Sequence, residues 1–123
     1  PLARAAMYEK GIQIYVAPTA DARDTWFATM QHIAVEGDVS SYHVISIQPI
    51  PHELTRGGSC IVDPLGNFIV EPVFGKEEIL YADINLDKIA EAQFDFDVVG
   101  HYSRPDVFQL IVNEQEQRNT IWK

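Results

Sequence analysis

Apolar residues recur at helical spacing in three stretches of the chain. The first covers residues 1–10 and ends at Gly11, with an apolar face made of Leu2, Ala5 and Ala6. The second follows an N-cap residue at Asp24 and stops at Gly37, and its stripe holds Trp26, Met30, Ile33 and Ala34. The third follows a cap at Asn85, with Leu86, Ile89, Ala90 and Phe94 on its face. These patterns predict three amphipathic helices.

Short apolar runs bounded by glycine, proline or polar residues predict the strands. They cover residues 12–17, 42–47, 60–62, 68–70, 79–84 and 107–112. The segment DPLGN at 63–67 has Pro and Gly where a tight turn needs them, so it predicts a hairpin. Several runs, such as Ile61-Val62, are apolar on both sides, which indicates a sheet covered on both faces by another half-domain or another chain.

The order of these elements predicts an α/β fold. A strand, helix, strand start is followed by a hairpin, which favours a mixed β-sheet with helices on one face. We expect one domain over residues 1–113 and a polar tail over 114–123.

The net charge and the composition argue against some classes of binding partner. The 18 acidic and 9 basic residues give a net charge of -9, which argues against nucleic acid and against an anionic membrane surface. No apolar run reaches the roughly 20 residues of a membrane span, and no signal peptide is evident at the start. The lone Cys60 allows no internal disulfide and fits a cytoplasmic protein. Because the chain starts with Pro1 instead of Met, we expect processing or a fragment.

Five segments, in the right order, carry a family resemblance. They are PLARAAMY at 1–8, YVAPTAD at 15–21, HIAVE at 32–36, GGSCIVDPLG at 57–66 and DFDVVGHYSRPD at 95–106. Together they resemble the C-terminal half of nitrilases, within the carbon–nitrogen hydrolase superfamily, and the last segment is similar to the true nitrilase branch. The stretch 38–41 is more polar than that family usually shows, and the link from 48 to 57 is shorter.

The resemblance implies an αββα sandwich of two similar halves, of which this chain is one. It also implies hydrolysis of a nitrile to a carboxylic acid and ammonia, without a cofactor, by a cysteine nucleophile that forms a thioimidate. In that family the Cys, a Lys and two Glu precede the position of Pro1, so we expect no catalytic residue in this chain. The expected partners are a nitrile, the missing N-terminal half, and a second copy that contacts helices 1–10 and 24–36. The alternative is a truncated, non-catalytic chain that only forms dimers.

Candidate residues have both a functional and a structural interpretation. Glu36 is either a solvated residue at a helix end or a supporting residue near the catalytic centre, as the resemblance implies. A loop after a strand end is expected to line the nitrile pocket, through Ala17, Pro18, Thr19 and Asp21. A second loop is better explained as a rigid structural motif than as a charge relay, and it contains His101, Tyr102, Arg104, Pro105 and Asp106.

The remaining chemistry-bearing residues are expected to be structural. Cys60 lies in a strand-like run with no neighbouring base, which favours a buried small residue over a nucleophile. The four histidines have no metal-ligand spacing, so no metal site is expected.

Overall fold

A computed structural model describes residues 1–21, 23–43 and 56–121 of the chain. Within them lie three helices and four strands in this order: α1 Leu2–Glu9, β1 Ile14–Val16, α2 Asp24–Gly37, β2 Ser40–His43, β3 Gly57–Val62, β4 Phe68–Phe74 and α3 Asp87–Asp95. The predicted α/β class is therefore confirmed.

The four strands form one mixed sheet with the order β1-β2-β3-β4. The pair β1 and β2 is parallel, and α2 is the crossover that a parallel connection requires. The other two pairs are antiparallel, and β3 and β4 form the predicted hairpin. Of the predicted strand 42–47, residues 42 and 43 belong to β2, and residues 44–47 lie outside the described residues.

The core lies between α2 and the sheet. Its buried residues are Met30, Ile33 and Ala34 from α2, and Cys60 and Val62 from β3. Tyr15 and Trp26 pack at its edge and are only partly buried. The predicted stripe of α2 is thus confirmed, because a helix that packs on a sheet buries residues spaced three and four apart.

The end of α2 differs from the prediction. Gly37 is the last helical residue, and Asp38 is the C-cap with a left-handed backbone, at a φ of 50°. Gly37 is needed for another reason, because the ring of Tyr8 on α1 lies against its backbone. The close approach of α1 to α2 therefore depends on the missing side chain of Gly37.

Helix α3 buries only one residue of its predicted apolar face, Ile89. Ile89 and Ala92 are buried, whereas Phe94 is 91% exposed and Leu86 is 48% exposed. The N-cap of α3 is Leu86 and not the predicted Asn85, although the Asn85 side chain accepts a hydrogen bond from the N–H of Asp87 at 2.9 Å.

Two predicted strands are wrong. Residues 79–84 and 107–112 have no strand structure, and large apolar side chains are exposed in both, including Ile79 at 75% and Phe108 at 78%. Both segments have strand-like composition, but a strand also needs a neighbour to satisfy its backbone groups. Within the described part of the chain neither segment has such a neighbour.

Candidate functional site

The carboxylate of Glu36 joins α1 to α2. Its Oε2 accepts hydrogen bonds from Nε and Nη2 of Arg4, at 3.2 and 3.0 Å, and from the hydroxyl of Tyr8, at 3.3 Å. His32, one turn earlier on α2, places its Nε2 3.6 Å from Oε1. The Arg4 and Glu36 side chains are 20% and 26% exposed, so this pair is mostly shielded from water. We call Arg4, Tyr8, His32 and Glu36 the Glu36 network.

The network explains why a carboxylate can lie at the unfavourable end of a helix. The last turn of α2 exposes carbonyl oxygens and carries partial negative charge, which disfavours Glu36 there. The two hydrogen bonds from the Arg4 guanidinium to Oε2 compensate for this charge. Burial, followed by the nearby Glu36 charge, raises the pKa of Tyr8 to about 12, so this hydroxyl stays a hydrogen-bond donor. Burial works against the charge of Arg4, but its bonds to Glu36 outweigh that effect and raise the Arg4 pKa.

We expect Arg4 and Glu36 to be energetically coupled. In a double-mutant cycle with Arg4→Met and Glu36→Gln, urea unfolding should give a coupling energy of about 1–2 kcal/mol, since the pair is mostly shielded from water and is joined by two charged hydrogen bonds. The control is the pair Arg104 and Asp106, which has two bonds of 2.7 Å but side chains that are each 62% exposed. Arg104→Met and Asp106→Asn should show no measurable coupling, because water screens exposed pairs. Equal coupling in the two pairs would show that burial is not the deciding factor.

The loop predicted to line a pocket follows β1 directly. Ala17, Thr19 and Asp21 are partly buried, and Pro18 is exposed. Thr19 Oγ1 accepts the N–H of Asp21 at 3.1 Å, and the Asp21 carboxylate accepts the N–H and Nε of Arg23, at 3.1 and 2.9 Å. The hydrogen bonds from Arg23 lower the pKa of Asp21 to about 2. The loop is therefore held in a defined shape at the carboxyl end of a parallel strand, before α2 begins.

Three cavities that described residues line lie elsewhere. One of about 590 Å³ lies between α1 and the segment 98–114, where Lys10 is ion-paired with Glu114. Two smaller cavities have volumes of about 170 and 130 Å³. Among the residues that the structure describes, the loop 17–21 lines none of these three.

The second loop is held by the side chain of Asp97. This carboxylate accepts the N–H groups of Gly100 and His101, at 2.7 and 3.1 Å. The ring of Tyr102 lies 5.5 Å from that of Phe96 and 5.0 Å from that of His101. Arg104 and Asp106 pair with each other at the exposed side of the loop. Most of the segment around Pro105 is exposed as well. The loop is internally bonded, and its side chains face solvent.

Cys60 is fully buried in the core beneath α2. Burial, and secondarily the charge of Glu71, raises the pKa of its thiol to about 11. A thiol in such a place remains protonated at neutral pH and has no access to a substrate. The prediction that Cys60 is a buried core residue is confirmed.

The described residues contain neither a membrane-spanning helix nor a cluster of metal ligands. None of the helices found there is both long enough and apolar enough to cross a bilayer. Within residues 1–21, 23–43 and 56–121, no group of three or more His, Cys, Asp or Glu side chains is arranged to hold a metal ion.

Sequence reasoning singled out Glu36 but missed its partners. Arg4 is 32 residues away, and the helical pattern of α1 gives no indication that this side chain turns toward α2. One signal was available, because Arg4 is a lone charge within an Ala-rich stretch that is otherwise apolar up to Tyr8. Such a charge in a packed helix usually needs a buried partner.

Comparison with known proteins identifies the family. The sequence model of the carbon-nitrogen hydrolase family matches residues 1–94. The chain belongs to the carbon-nitrogen hydrolase family. An aliphatic nitrilase of Sinorhizobium fredii is 50% identical over an alignment 136 residues long, which covers 98% of this chain and 44% of that protein. The bifunctional nitrilase/nitrile hydratase NIT4B of Nicotiana tabacum is 44% identical over an alignment 133 residues long, which covers 93% of this chain and 38% of that protein.

Solved structures of the same family share the fold. A carbon-nitrogen hydrolase from Helicobacter pylori matches with a TM-score of 0.67 at 21% identity, over 86% of this chain and 42% of that chain. Nit3 of Saccharomyces cerevisiae, a member of branch 10 of the nitrilase superfamily, matches with a TM-score of 0.68 at 20% identity, over 80% and 38%. The chain thus spans less than half the length of these family members.

Proposed function

We propose that this chain is the C-terminal portion of a nitrilase, which hydrolyses a nitrile to a carboxylic acid and ammonia. The observation that carries the proposal is the 50% identity to an aliphatic nitrilase across nearly the whole chain. The nucleophilic cysteine would lie upstream of Pro1. Its thiolate would add to the nitrile carbon to form a thioimidate, and two water molecules would then release ammonia and the acid. This chemistry needs no cofactor.

The state of Cys60 supports an upstream nucleophile. A nucleophile must reach its substrate and must lose its proton readily, whereas Cys60 is enclosed in the core and its pKa is raised to about 11. Among the residues that the structure describes, the cysteine is also part of the same buried cluster as Met30 and Val62.

Two parts of the chain would serve the active site. The loop with Ala17, Pro18, Thr19 and Asp21 would form one wall of the nitrile pocket, since it follows the carboxyl end of a parallel strand. The Glu36 network would hold α1 on α2 and so fix the point at which the chain enters α1, directly after the proposed nucleophile segment. In this role Glu36 is a positioning residue.

A chimaera that joins this chain to the upstream half of a relative tests the proposal. The matching region of the Sinorhizobium fredii aliphatic nitrilase is replaced by this chain, and ammonia release is measured with aliphatic, aromatic and cyano-acid nitriles. We expect turnover by the chimaera and none by the 123-residue chain alone. A chimaera that folds, as shown by circular dichroism, but hydrolyses no nitrile would contradict the proposal.

Cys60→Ala provides the matched control. Alanine fills most of the same buried space, so the chimaera with Cys60→Ala should keep most of its turnover. Turnover by the isolated chain that disappears with Cys60→Ala would mean that Cys60 is the nucleophile. Turnover by the isolated chain that survives this substitution would mean that the active site lies elsewhere in these residues.

A non-catalytic, dimer-forming chain is the second candidate. It is favoured by the large apolar side chains that the described residues leave exposed, among them Leu2 at 71%, Val16 at 62% and Phe108 at 78%. Contacts through α1 and α2 would join two copies. Light scattering across concentrations should show self-association of the isolated chain, and a monomer at all concentrations would exclude this candidate.

A further inference from the structure

The C-terminal ends of α1 and α2 meet at one small cavity. Tyr8 and Gly11 line it from the end of α1, and Gly37 and Asp38 line it from the end of α2. Its volume is about 170 Å³, enough for a small ion with a few water molecules. The remaining lining residues come from the segment before β1, from α3 and from the residues after it.

The local electrostatics of this cavity are negative. The last carbonyl groups of a helix carry partial negative charge, and here two helices present this end together. The N–H groups that follow each helix bond to the carbonyls of Met7, Tyr8 and Ala34, but no cationic side chain neutralises this end within the described cavity lining. Neither helix has a basic residue in its last turn. Among the described residues that line the cavity there is no Lys, Arg or His. Lys10, the C-cap of α1, is ion-paired with Glu114 instead.

Asp38 adds a full carboxylate to this cavity. The residue is 4% exposed, and its Oδ1 is buried with no hydrogen-bond partner in the described part of the chain. Burial, and then the charge of Asp97, raises the pKa of this carboxyl group to about 6. Above that pH the ionised form predominates, and a buried charge of this kind requires compensation.

We propose that the cavity binds one small monovalent cation, either an alkali metal ion or ammonium, through the Asp38 carboxylate and the helix-end carbonyl oxygens. Gln13 and Gln93 also line the cavity and can supply amide oxygens. Oxygen ligands suit hard cations, and a single carboxylate matches a single positive charge. A divalent ion usually takes several carboxylates, and among the described residues no group of three or more acidic, His or Cys side chains is arranged to hold a metal ion. The proposal does not depend on nitrile hydrolysis.

Thermal unfolding of the 123-residue chain tests the site. The melting temperature is measured at pH 7.5 in choline chloride and in the chlorides of sodium, potassium and ammonium, all at the same ionic strength. We expect at least one small cation to raise the melting temperature by about 3 °C or more over choline, since it binds only the folded state. The salt with the largest effect identifies the ion. Equal melting temperatures in all four salts would overturn the proposal.

Asp38→Asn separates a specific site from a general salt effect. Asparagine has the same shape and tolerates the left-handed backbone at this position, but it carries no charge. We expect the cation-dependent shift to disappear in this variant. Asp95→Asn removes an exposed carboxylate from α3 and should keep the full shift. A shift of the same size in Asp38→Asn as in the unaltered chain would also overturn the proposal.

If Asp38→Asn does not fold, crystallography of the unaltered chain tests the cation site directly. Crystals of the unaltered chain grown in rubidium chloride should give an anomalous difference peak in the cavity beside the Asp38 carboxylate. Water alone in the cavity, without an anomalous peak, would show that no monovalent cation binds there.

Discussion

A single methyl group at Gly37 is expected to destabilise the chain by about 3 kcal/mol, because α1 and α2 are in contact at this glycine. A Cβ atom on Gly37 would lie 2.6 Å from Cδ1 and Cζ of Tyr8 and still closer to Cε1. The ring of Tyr8 is buried and its hydroxyl is bonded to Glu36 and to the carbonyl of Ile33, so it has little freedom to move away. Gly37→Ala should therefore separate the helices and break part of the Glu36 network.

The background Tyr8→Ala makes this prediction specific. Without the ring nothing opposes the new methyl group, and alanine is a better helix residue than glycine. Gly37→Ala should then stabilise the chain by roughly 0.5 kcal/mol, so the sign of its effect reverses. Urea unfolding of the four chains measures both steps. A destabilisation of the same size in both backgrounds would mean that the strain at Gly37 comes from its own backbone and not from Tyr8.

The structural features that the sequence predicted correctly depend on the local spacing of residues. The stripe of α2 was correct at Met30, Ile33 and Ala34 because helical periodicity alone places these residues on one face. The hairpin prediction was also correct, because the turn residues between β3 and β4 are contiguous and need no distant partner. The left-handed cap is Asp38 and not the predicted Gly37, because Asp and Asn also tolerate that backbone. Gly37 lies one residue earlier, where the ring of Tyr8 leaves no room for a side chain.

What the sequence could not predict depends on distant partners. The segments 79–84 and 107–112 have strand composition, but whether they become strands depends on a neighbouring strand that composition does not specify. The Glu36 network follows the same principle. The sequence suggested Glu36, whereas Arg4 and Tyr8 are joined to it only by the packing of α1 on α2. The pocket loop was correctly placed after a strand, and its role remains a prediction.

Asp63 is the residue whose removal should most weaken the hairpin. Its side chain is 3% exposed, and its Oδ1 accepts the N–H groups of Leu65 and Asn67, at 3.0 and 2.9 Å. Its Oδ2 is 2.9 Å from Nζ of Lys88, which connects the turn to α3. Asp63→Ala leaves these donors unsatisfied, and we expect the free energy of unfolding to fall by about 3 kcal/mol. Asp63→Asn keeps the acceptor of the turn and should cost less.

The same residue predicts how stability depends on pH. Burial disfavours the charge of Asp63, but the bonds from Lys88 and Asn67 outweigh it, and the pKa of this carboxyl is lowered below its ordinary value of 3.8. Because the folded state binds this proton less readily than the unfolded state, Asp63 stabilises the fold above pH 3.8 and loses that contribution as the pH falls through its folded pKa. Urea unfolding at pH 6 and pH 3 should therefore show a smaller acid-induced loss in Asp63→Asn than in the unaltered chain. Equal losses would mean that the contacts of Asp63 with Lys88 and with the turn do not depend on its charge.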